Sequence, residues 1–388
     1  MDKNIKLSFW NYAPFGIISN KDAAKDWAEI GSNLPMSFIY DFKKNKKDEM
    51  LELLDECQKF HLKLIISDTR TLFTNLRSIT KEEYRSLVKA AYDDFGHHKA
   101  AFGFFIGDEP SPDDSDLFID AMKIVLEEMP GLVPFGNLLP YFLEINNPRK
   151  EEYAEILDKI LKETKIPIIG YDQYSQCFDD YAHPEEGLQS YFYGLDKYQE
   201  ITKKNNVSFI ISLLSVGHWN YRVPTEDDIR WQIYTSLAHG ARGFTWFYFM
   251  QDDHDYSYRN APYTNFGLKK TPMFDIIARQ QYLFKVAYEE QFNKMELVDV
   301  YHINDSMYLG KKNTKDKDEN FEIKTDRDFP VIVSYYQEIN GQKRYMSFVN
   351  GSQRFSNLLR IVFKGGKKED LWLAPGEMKV FDLSEVVK

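Results

Sequence analysis

The chain has 388 residues, of which 43% are hydrophobic and 15% aromatic, which is enough for a large core and a smaller second one. Its 49 basic and 60 acidic side chains give a formal net charge of −11. That charge argues against binding to nucleic acid or to an anionic membrane and favours a neutral or cationic ligand. The two cysteines, Cys57 and Cys177, belong to no metal or disulfide pattern, so no cofactor is implied.

No apolar run approaches the ~20 residues that a membrane-spanning helix needs. The first residues have no signal-peptide character. We therefore expect either a cytoplasmic protein or a periplasmic or secreted one whose signal has been removed. The sequence carries no indication of the oligomeric state.

From residue 6 to about residue 290, short apolar runs alternate with longer amphipathic stretches. The stretches Lys46–Phe60 and Lys81–Phe95 have apolar residues at helical spacing. Eight runs have the length and composition of buried strands: Leu7–Asn11, Met36–Tyr40, Leu62–Ser67, Ala101–Gly107, Val133–Asn137, Ile166–Tyr171, Ser208–Leu214 and Gly243–Phe249. Eight strand–helix units in this length predict a (β/α)8 TIM barrel of the α/β class.

Two helix starts are marked by their sequence. Ser111 followed by Pro112 is typical of an N-cap with proline in the first turn. Thr225 and Asp228 resemble a capping box, which gives the intervening Glu226 a structural context. A doubly wound open sheet is the competing fold, but no glycine-rich phosphate loop follows the first strand.

The pattern changes near residue 295, where short strands separated by turn signals predict a small all-β sandwich. Asn340-Gly341 is typical of a hairpin turn, and Gly365-Gly366 of another turn. The charge-rich stretch Lys311–Asp328 is expected to be a mobile surface loop. We therefore divide the chain into a barrel domain, 1–294, and a sandwich domain, 295–388.

The residues just past the predicted strands are those that a sugar requires. In a barrel they meet at one mouth, where carboxylates and amides bind hydroxyl groups and aromatic rings stack on the C–H faces of the sugar. The predicted carbohydrate-binding residues are Trp10, Asn11, Asp41, Asp108, Asn137, Tyr171, Tyr174, His218, Trp219, Trp246 and Asp252. The histidines His97 and His98 precede a strand, on the opposite face, so they predict no metal site.

The segment Gly107-Asp108-Glu109-Pro110 ends the fourth predicted strand with two adjacent carboxylates. Carboxylates at the exit of a buried strand are costly unless they are hydrogen-bonded or used in function. A turn in which Asp108 accepts hydrogen bonds from backbone amides explains Asp108 well and Glu109 poorly.

This segment resembles the Asn-Glu-Pro motif of clan A glycoside hydrolases, in which the glutamate is the general acid/base. Ile168-Ile-Gly-Tyr-Asp-Gln-Tyr174 and His239-Gly-Ala-Arg-Gly-Phe-Thr-Trp-Phe247 are similar to segments of β-galactosidase-like barrel proteins of gut bacteria. The resemblance implies a barrel with a trailing β domain, hydrolysis of glycosidic bonds in an oligo- or polysaccharide, and an acid/base role for Glu109. Asp108 stands where the clan has asparagine, and it could still accept a hydrogen bond from a sugar hydroxyl.

Clan A enzymes carry a second glutamate, the nucleophile, at the end of strand seven. Here that strand and its exit, 208–219, contain no carboxylate. Asp172 is the first candidate for the second catalytic carboxylate, followed by Asp68 and Asp252. Two alternatives stay open: a non-catalytic carbohydrate-binding protein on a barrel scaffold, and a carbohydrate lyase.

Overall fold

The computed structural model describes residues 4–140, 150–178, 184–251, 257–264, 269–308, 313–314 and 318–387. A curled parallel sheet of seven strands forms the larger part of the molecule. In their spatial order, its strands are Lys6–Phe9, Gly243–Phe247, Ser208–Leu214, Ile168–Asp172, Val133–Leu138, Ala101–Asp108 and Leu64–Ile66. Within the described ranges, no helix is long and apolar enough to cross a membrane.

The segment 36–40 closes this sheet into a barrel. It forms isolated parallel bridges, Met36 with Ile65 on one side and Ile39 with Pro14 on the other. It does not form the continuous strand that we predicted, in part because the Ser37 hydroxyl, rather than a backbone carbonyl, accepts the backbone N–H of Ser67 (2.9 Å). The fold is thus the predicted (β/α)8 barrel, with its second strand reduced to bridges.

Helices cover the outside of the barrel strands. The described helices are Asn20–Glu29, Lys47–Lys59, Lys81–Ala91, Ser115–Glu128, Lys150–Thr164, Pro184–Asn205, Glu226–Ala238, Pro272–Phe284, Glu290–Lys294 and the C-terminal Leu383–Val386. The capping box at Thr225 is confirmed, because Thr225 Oγ accepts from Asp228 N (3.2 Å) and Asp228 Oδ2 accepts from Thr225 N (2.8 Å). Ser111 instead precedes a single 3₁₀ turn, Pro112–Asp114, and the α-helix starts at Ser115.

The C-terminal region is the predicted β-sandwich. Its larger sheet contains the strands Asn313–Thr314, Met295–Ile303, Val331–Glu338, Arg344–Asn350 and Met378–Asp382, and its smaller sheet contains Phe321–Thr325, Asn357–Phe363 and Lys368–Leu373. The expectation of a loop over Lys311–Asp328 is wrong for Phe321–Thr325. There Phe321 and Ile323 face the core and Glu322 and Lys324 face solvent, which is the two-residue period of a strand.

The sandwich packs against the helix Glu226–Ala238, which is buried along most of its length. Trp231 Nε1 donates to the Gly351 carbonyl (2.8 Å), and Ser334 Oγ donates to the Ala238 carbonyl (2.8 Å). Gly376, in a turn of the sandwich with a φ of 69°, lies against the backbone of Trp231. This helix therefore packs against the barrel on one side and against the sandwich on the other.

We expect Gly376→Ala to destabilise the protein more than Gly366→Ala. Both glycines have positive φ, so both substitutions strain the backbone, but only a Cβ at position 376 would overlap the backbone of Trp231. The additional loss in free energy of unfolding should be about 1–3 kcal/mol, as for other overpacking substitutions. Urea unfolding of the two variants measures it, and equal losses would contradict the described contact.

Candidate active site

Three carboxylates meet at the carboxyl ends of two barrel strands that flank a third. Asp108 and Glu109 end the strand Ala101–Asp108, and Asp172 ends Ile168–Asp172. Between these two strands lies Val133–Leu138, whose Asn137 is in register with Asp108 on one side and with Gly170 on the other. Parallel pairing therefore brings the three acids around one amide.

Asn137 ties the acids together. Its Nδ2 donates one hydrogen bond to Asp108 Oδ1 (2.9 Å) and another to Asp172 Oδ1 (3.0 Å). Its backbone carbonyl accepts from the N–H of Glu109 (3.0 Å). Ser212, on the strand Ser208–Leu214, is close enough to donate a hydrogen bond to Asn137 Oδ1 (3.4 Å). Both the nitrogen and the oxygen of the side-chain amide are thus hydrogen-bonded, which fixes its orientation.

Glu109 has a φ of 43°, in the left-handed region that side chains other than glycine rarely adopt. Such strain is maintained only where the surroundings impose it, and it is concentrated at functional sites. Here the Glu109 carboxyl group is hydrogen-bonded to that of Asp172. Two carboxyl groups in this contact must hold a proton between them.

Burial favours the protonated form of Asp172. Its side chain is 5% exposed, and burial raises its pKa well above the usual range, with the charges of Glu109 and Asp108 and the hydrogen bond to Glu109 adding to the effect. Asp108 is open to the mouth, but the walls of the site displace much of the bulk water. This desolvation, together with the charge of Glu109, raises the pKa of Asp108 to about 6, against the opposing hydrogen bond from Asn137.

Aromatic side chains form the walls of the cavity above these acids. The cavity volume is about 500 Å³, within the ~300–1,000 Å³ of typical small-molecule sites. The aromatic lining residues are Trp10, Tyr12, Tyr174, Trp219, Tyr221, Phe247 and Tyr258. Trp219 is 71% exposed at the rim, so its ring is available to a ligand without any rearrangement of the core.

His218 lies among these rings, with its ring centroid 4.8 Å from that of Tyr221 and 5.1 Å from that of Phe247. Burial lowers its pKa to about 4, so the imidazole is neutral at neutral pH. Its Nδ1 is buried and has no hydrogen-bond partner among the described residues. A neutral imidazole with an unused nitrogen in a cavity wall is suited to a polar group of a ligand.

The cavity contains eight of the predicted site residues: Trp10, Asp108, Glu109, Asn137, Asp172, Tyr174, His218 and Trp219. Tyr171 and Trp246 directly precede the lining residues Asp172 and Phe247. Successive side chains of a strand, however, face opposite sides. Tyr171 therefore stacks on Tyr198 (3.6 Å between centroids), and Trp246 packs on Phe244. Neither lines the cavity.

Three further predicted residues serve the fold. Asn11 accepts from Ala13 N (3.2 Å), and Asp41 forms an ion pair with Lys44 (3.0 Å). Asp68 is buried and pairs with the Arg70 guanidinium (2.7 Å), so it is not free to act as a catalytic partner. Asp252 lies outside the described residues.

The lining residues that sequence reasoning missed include Gln173, Tyr221, Phe247 and Tyr258. Gln173 directly follows Asp172, and Phe247 is the strand neighbour of Trp246. Their positions in the sequence were therefore enough to predict both as candidates. Tyr258 arrives through a short antiparallel pairing of Tyr258–Arg259 with Gly217–His218. No local pattern signals that pairing.

The described residues contain no group of three or more histidine, cysteine, aspartate or glutamate side chains arranged for a metal ion. Cys57 and Cys177 are free and fully buried, and burial raises the pKa of both thiols above the usual value. Neither thiol belongs to the cavity.

No family model and no curated protein sequence matches the chain. Solved structures do. A β-galactosidase from the psychrophilic Marinomonas ef1 is similar with a TM-score of 0.56 at 13% identity, over 74% of this chain and 60% of that one. A glycoside hydrolase family 5 mannosidase from Rhizomucor miehei is similar with a TM-score of 0.52 at 9% identity, over 74% of this chain and 94% of that one.

This chain therefore spans less than two thirds of the β-galactosidase and nearly all of the mannosidase. At such identities the likeness concerns the fold. The predicted resemblance is confirmed at that level: the chain has the barrel fold of clan A glycoside hydrolases.

Proposed function

We propose that the protein is a glycoside hydrolase that cleaves an oligo- or polysaccharide, with Glu109 as its general acid/base. The observation that carries the proposal is the hydrogen-bonded pair of Glu109 and Asp172 at the floor of an aromatic cavity. A glycosidic bond breaks when the leaving oxygen receives a proton, and a carboxyl pair that keeps one proton in a partly dry site can supply it.

Asp172 holds the proton for Glu109. In the cleavage step Glu109 takes the proton of Asp172 and passes it to the glycosidic oxygen, which leaves both carboxyl groups ionised. In the hydrolytic step Glu109 removes a proton from water and returns it to Asp172. A hydrogen-bonded pair is closer than the ~5–5.5 Å or ~6.5–9.5 Å between the two carboxyl groups of standard retaining or inverting enzymes, so Asp172 does not act on the opposite face of the sugar.

The aromatic walls and the amide bind the sugar. Tyr174, Trp219 and Phe247 offer flat faces to its C–H groups, while Asn137, Asp108 and His218 offer polar atoms to its hydroxyls. None of the described lining residues is lysine or arginine. This composition favours an uncharged sugar over a uronic or sulfated one.

A second candidate function is carbohydrate binding without turnover. It is favoured by the absence of a carboxylate in residues 208–219, all of which are described. Tight binding to a glycan array, with no product released over long incubation of the same glycans, would support it and would contradict the hydrolase proposal.

We expect Glu109→Gln to lower kcat for glycosides with an alkyl or sugar leaving group, which must be protonated to depart, by about 10²–10⁴-fold, the usual contribution of general acid–base catalysis. The glutamine keeps the shape of the side chain and removes the proton. Glu226→Gln is the matched control, because Glu226 is paired with Arg279 outside the cavity (2.6 Å). A loss below about tenfold for Glu109→Gln would remove Glu109 from the mechanism.

We expect the deficit of Asp172→Asn in kcat/KM to grow from mildly acidic to neutral pH. A carboxyl group whose pKa is raised keeps its proton above the usual range and loses it as the pH rises through the folded-state value. The parent enzyme therefore retains a proton for catalysis at pH values where the variant has no reserve. Parallel pH–rate profiles of parent and variant would show that Asp172 only shapes the site.

A further inference from the structure

The described carboxylates of the cavity are Glu109 and two groups beside it. Asp108 is the neighbour of Glu109 in the chain, and Asp172 is hydrogen-bonded to Glu109. The strand Ser208–Leu214 and its exit as far as Trp219, where clan A enzymes carry their nucleophile, have none. If the protein cleaves glycosides, the group that attacks the anomeric carbon must come from elsewhere.

Asp108 is placed to accept a hydrogen bond from a second polar group of the substrate, beside the bond that is cleaved. It lines the cavity next to Glu109, and the Asn137 amide holds it through Oδ1. A carboxylate has about four lone-pair sites, so Asp108 retains acceptors after this bond. An N–H of a ligand would form a charge-assisted hydrogen bond with such a carboxylate.

We propose that the protein takes glycosides of 2-acetamido-2-deoxy sugars, with the acetamido carbonyl oxygen as the nucleophile and Asp108 as the acceptor of the acetamido N–H. This inference rests on the proposed hydrolase function, and it supplies the nucleophile that strand seven lacks. Substrate-assisted hydrolysis of this kind is an established exception to the two-carboxylate scheme.

The step balances in atoms and electrons. The carbonyl oxygen attacks the anomeric carbon as the bond from that carbon to the glycosidic oxygen breaks, and the leaving oxygen takes the proton of Glu109. The resulting cyclic oxazolinium carries a positive charge, which Asp108 stabilises through the N–H. Water then adds to the anomeric carbon, Glu109 takes its proton, and the ring opens to restore the acetamido group.

The surroundings fit an acetamido group. Tyr12 and Tyr174 line the cavity. Desolvation and the nearby carboxylates raise the pKa of both phenols well above the usual value, that of Tyr12 even though its side chain is partly open to solvent, so both hydroxyls remain donors for a carbonyl oxygen. The ring of Phe247 is 5.3 Å from that of Tyr174 and gives the methyl group an apolar contact. The unpaired Nδ1 of His218 is a separate polar atom of the same wall.

The test compares pairs of 4-nitrophenyl β-glycosides of the gluco and galacto series, with a 2-acetamido or a 2-hydroxyl group. Only the β anomers have the trans arrangement that participation requires. We expect turnover of a 2-acetamido substrate, and a rate that falls with each fluorine placed on the N-acyl methyl, because fluorine weakens the carbonyl nucleophile. This series uses the unaltered protein, so it does not depend on the folding of a variant.

Asp108→Asn should lower kcat on the 2-acetamido substrate by about 10²–10³-fold, the usual cost of removing one preorganised charge stabiliser. The asparagine still offers an oxygen to the Asn137 amide. Hydrolysis of the 2-hydroxyl substrates alone, or rates indifferent to fluorination, would overturn this inference and leave the hydrolase proposal standing. Cleavage of no glycoside by the parent protein would overturn the hydrolase proposal itself.

Discussion

The site depends on one amide group that serves two carboxylates. Asn137 Nδ2 places its two hydrogens on Asp108 and Asp172, which end the strands on either side of it. Without such a donor, each acid would lose part of the hydration that stabilises its charge and gain nothing in return. The amide reduces this cost without adding a positive charge, so the acids still repel one another and one of them keeps a proton.

That repulsion makes the site chemically useful. A lysine or arginine in place of Asn137 would stabilise the charged forms of the acids and leave no proton to transfer. Asp68 has such a neighbour in the same chain, since Arg70 binds its carboxylate in an ion pair that opposes the rise in pKa caused by burial. The proposed catalytic cluster differs from the structural pair of Asp68 and Arg70 in its neighbour, which is an amide in the first case and a guanidinium in the second.

Sequence alone predicted the barrel, the sandwich and the acids of the site, because strand composition and turn signals are local properties. It ranked Asp172 ahead of Asp68, but it could not predict that Arg70 binds Asp68 in an ion pair, because that contact forms only on folding. Nor could it predict the bond between Glu109 and Asp172. That bond joins two strands through a backbone turn at a φ of 43°, which has no signature in residue type.

The aromatic wall of the cavity shows the same limit of prediction from sequence. Tyr258 reaches the cavity by pairing with His218 across 40 residues of chain, and part of the intervening sequence is loop. Because the pairing is only two residues long, it leaves no alternation to detect. Cavity residues that lie on a regular strand can be predicted from its two-residue period. Cavity residues that follow a loop cannot be predicted in this way.

The C-terminal sandwich supports the site through a single buried helix. Glu226–Ala238 is held by sandwich contacts at Trp231, and its Gln232 bonds both the N–H of Leu214 (2.9 Å) and Nε2 of Gln176 (2.9 Å). Leu214 ends the strand that leads to His218, and Gln176 follows the strand that ends in Asp172.

On the sandwich side, Gln353 completes the connection by donating to the Gln176 carbonyl (3.0 Å). The ends of two strands that carry site residues are thus fixed from behind by hydrogen bonds that lead to the sandwich. Because an acid pair with a shared proton tolerates little displacement, a rigid support behind these strand ends is what the geometry of Glu109 and Asp172 requires. The sandwich is in this sense part of the site, although none of its described residues lines the cavity.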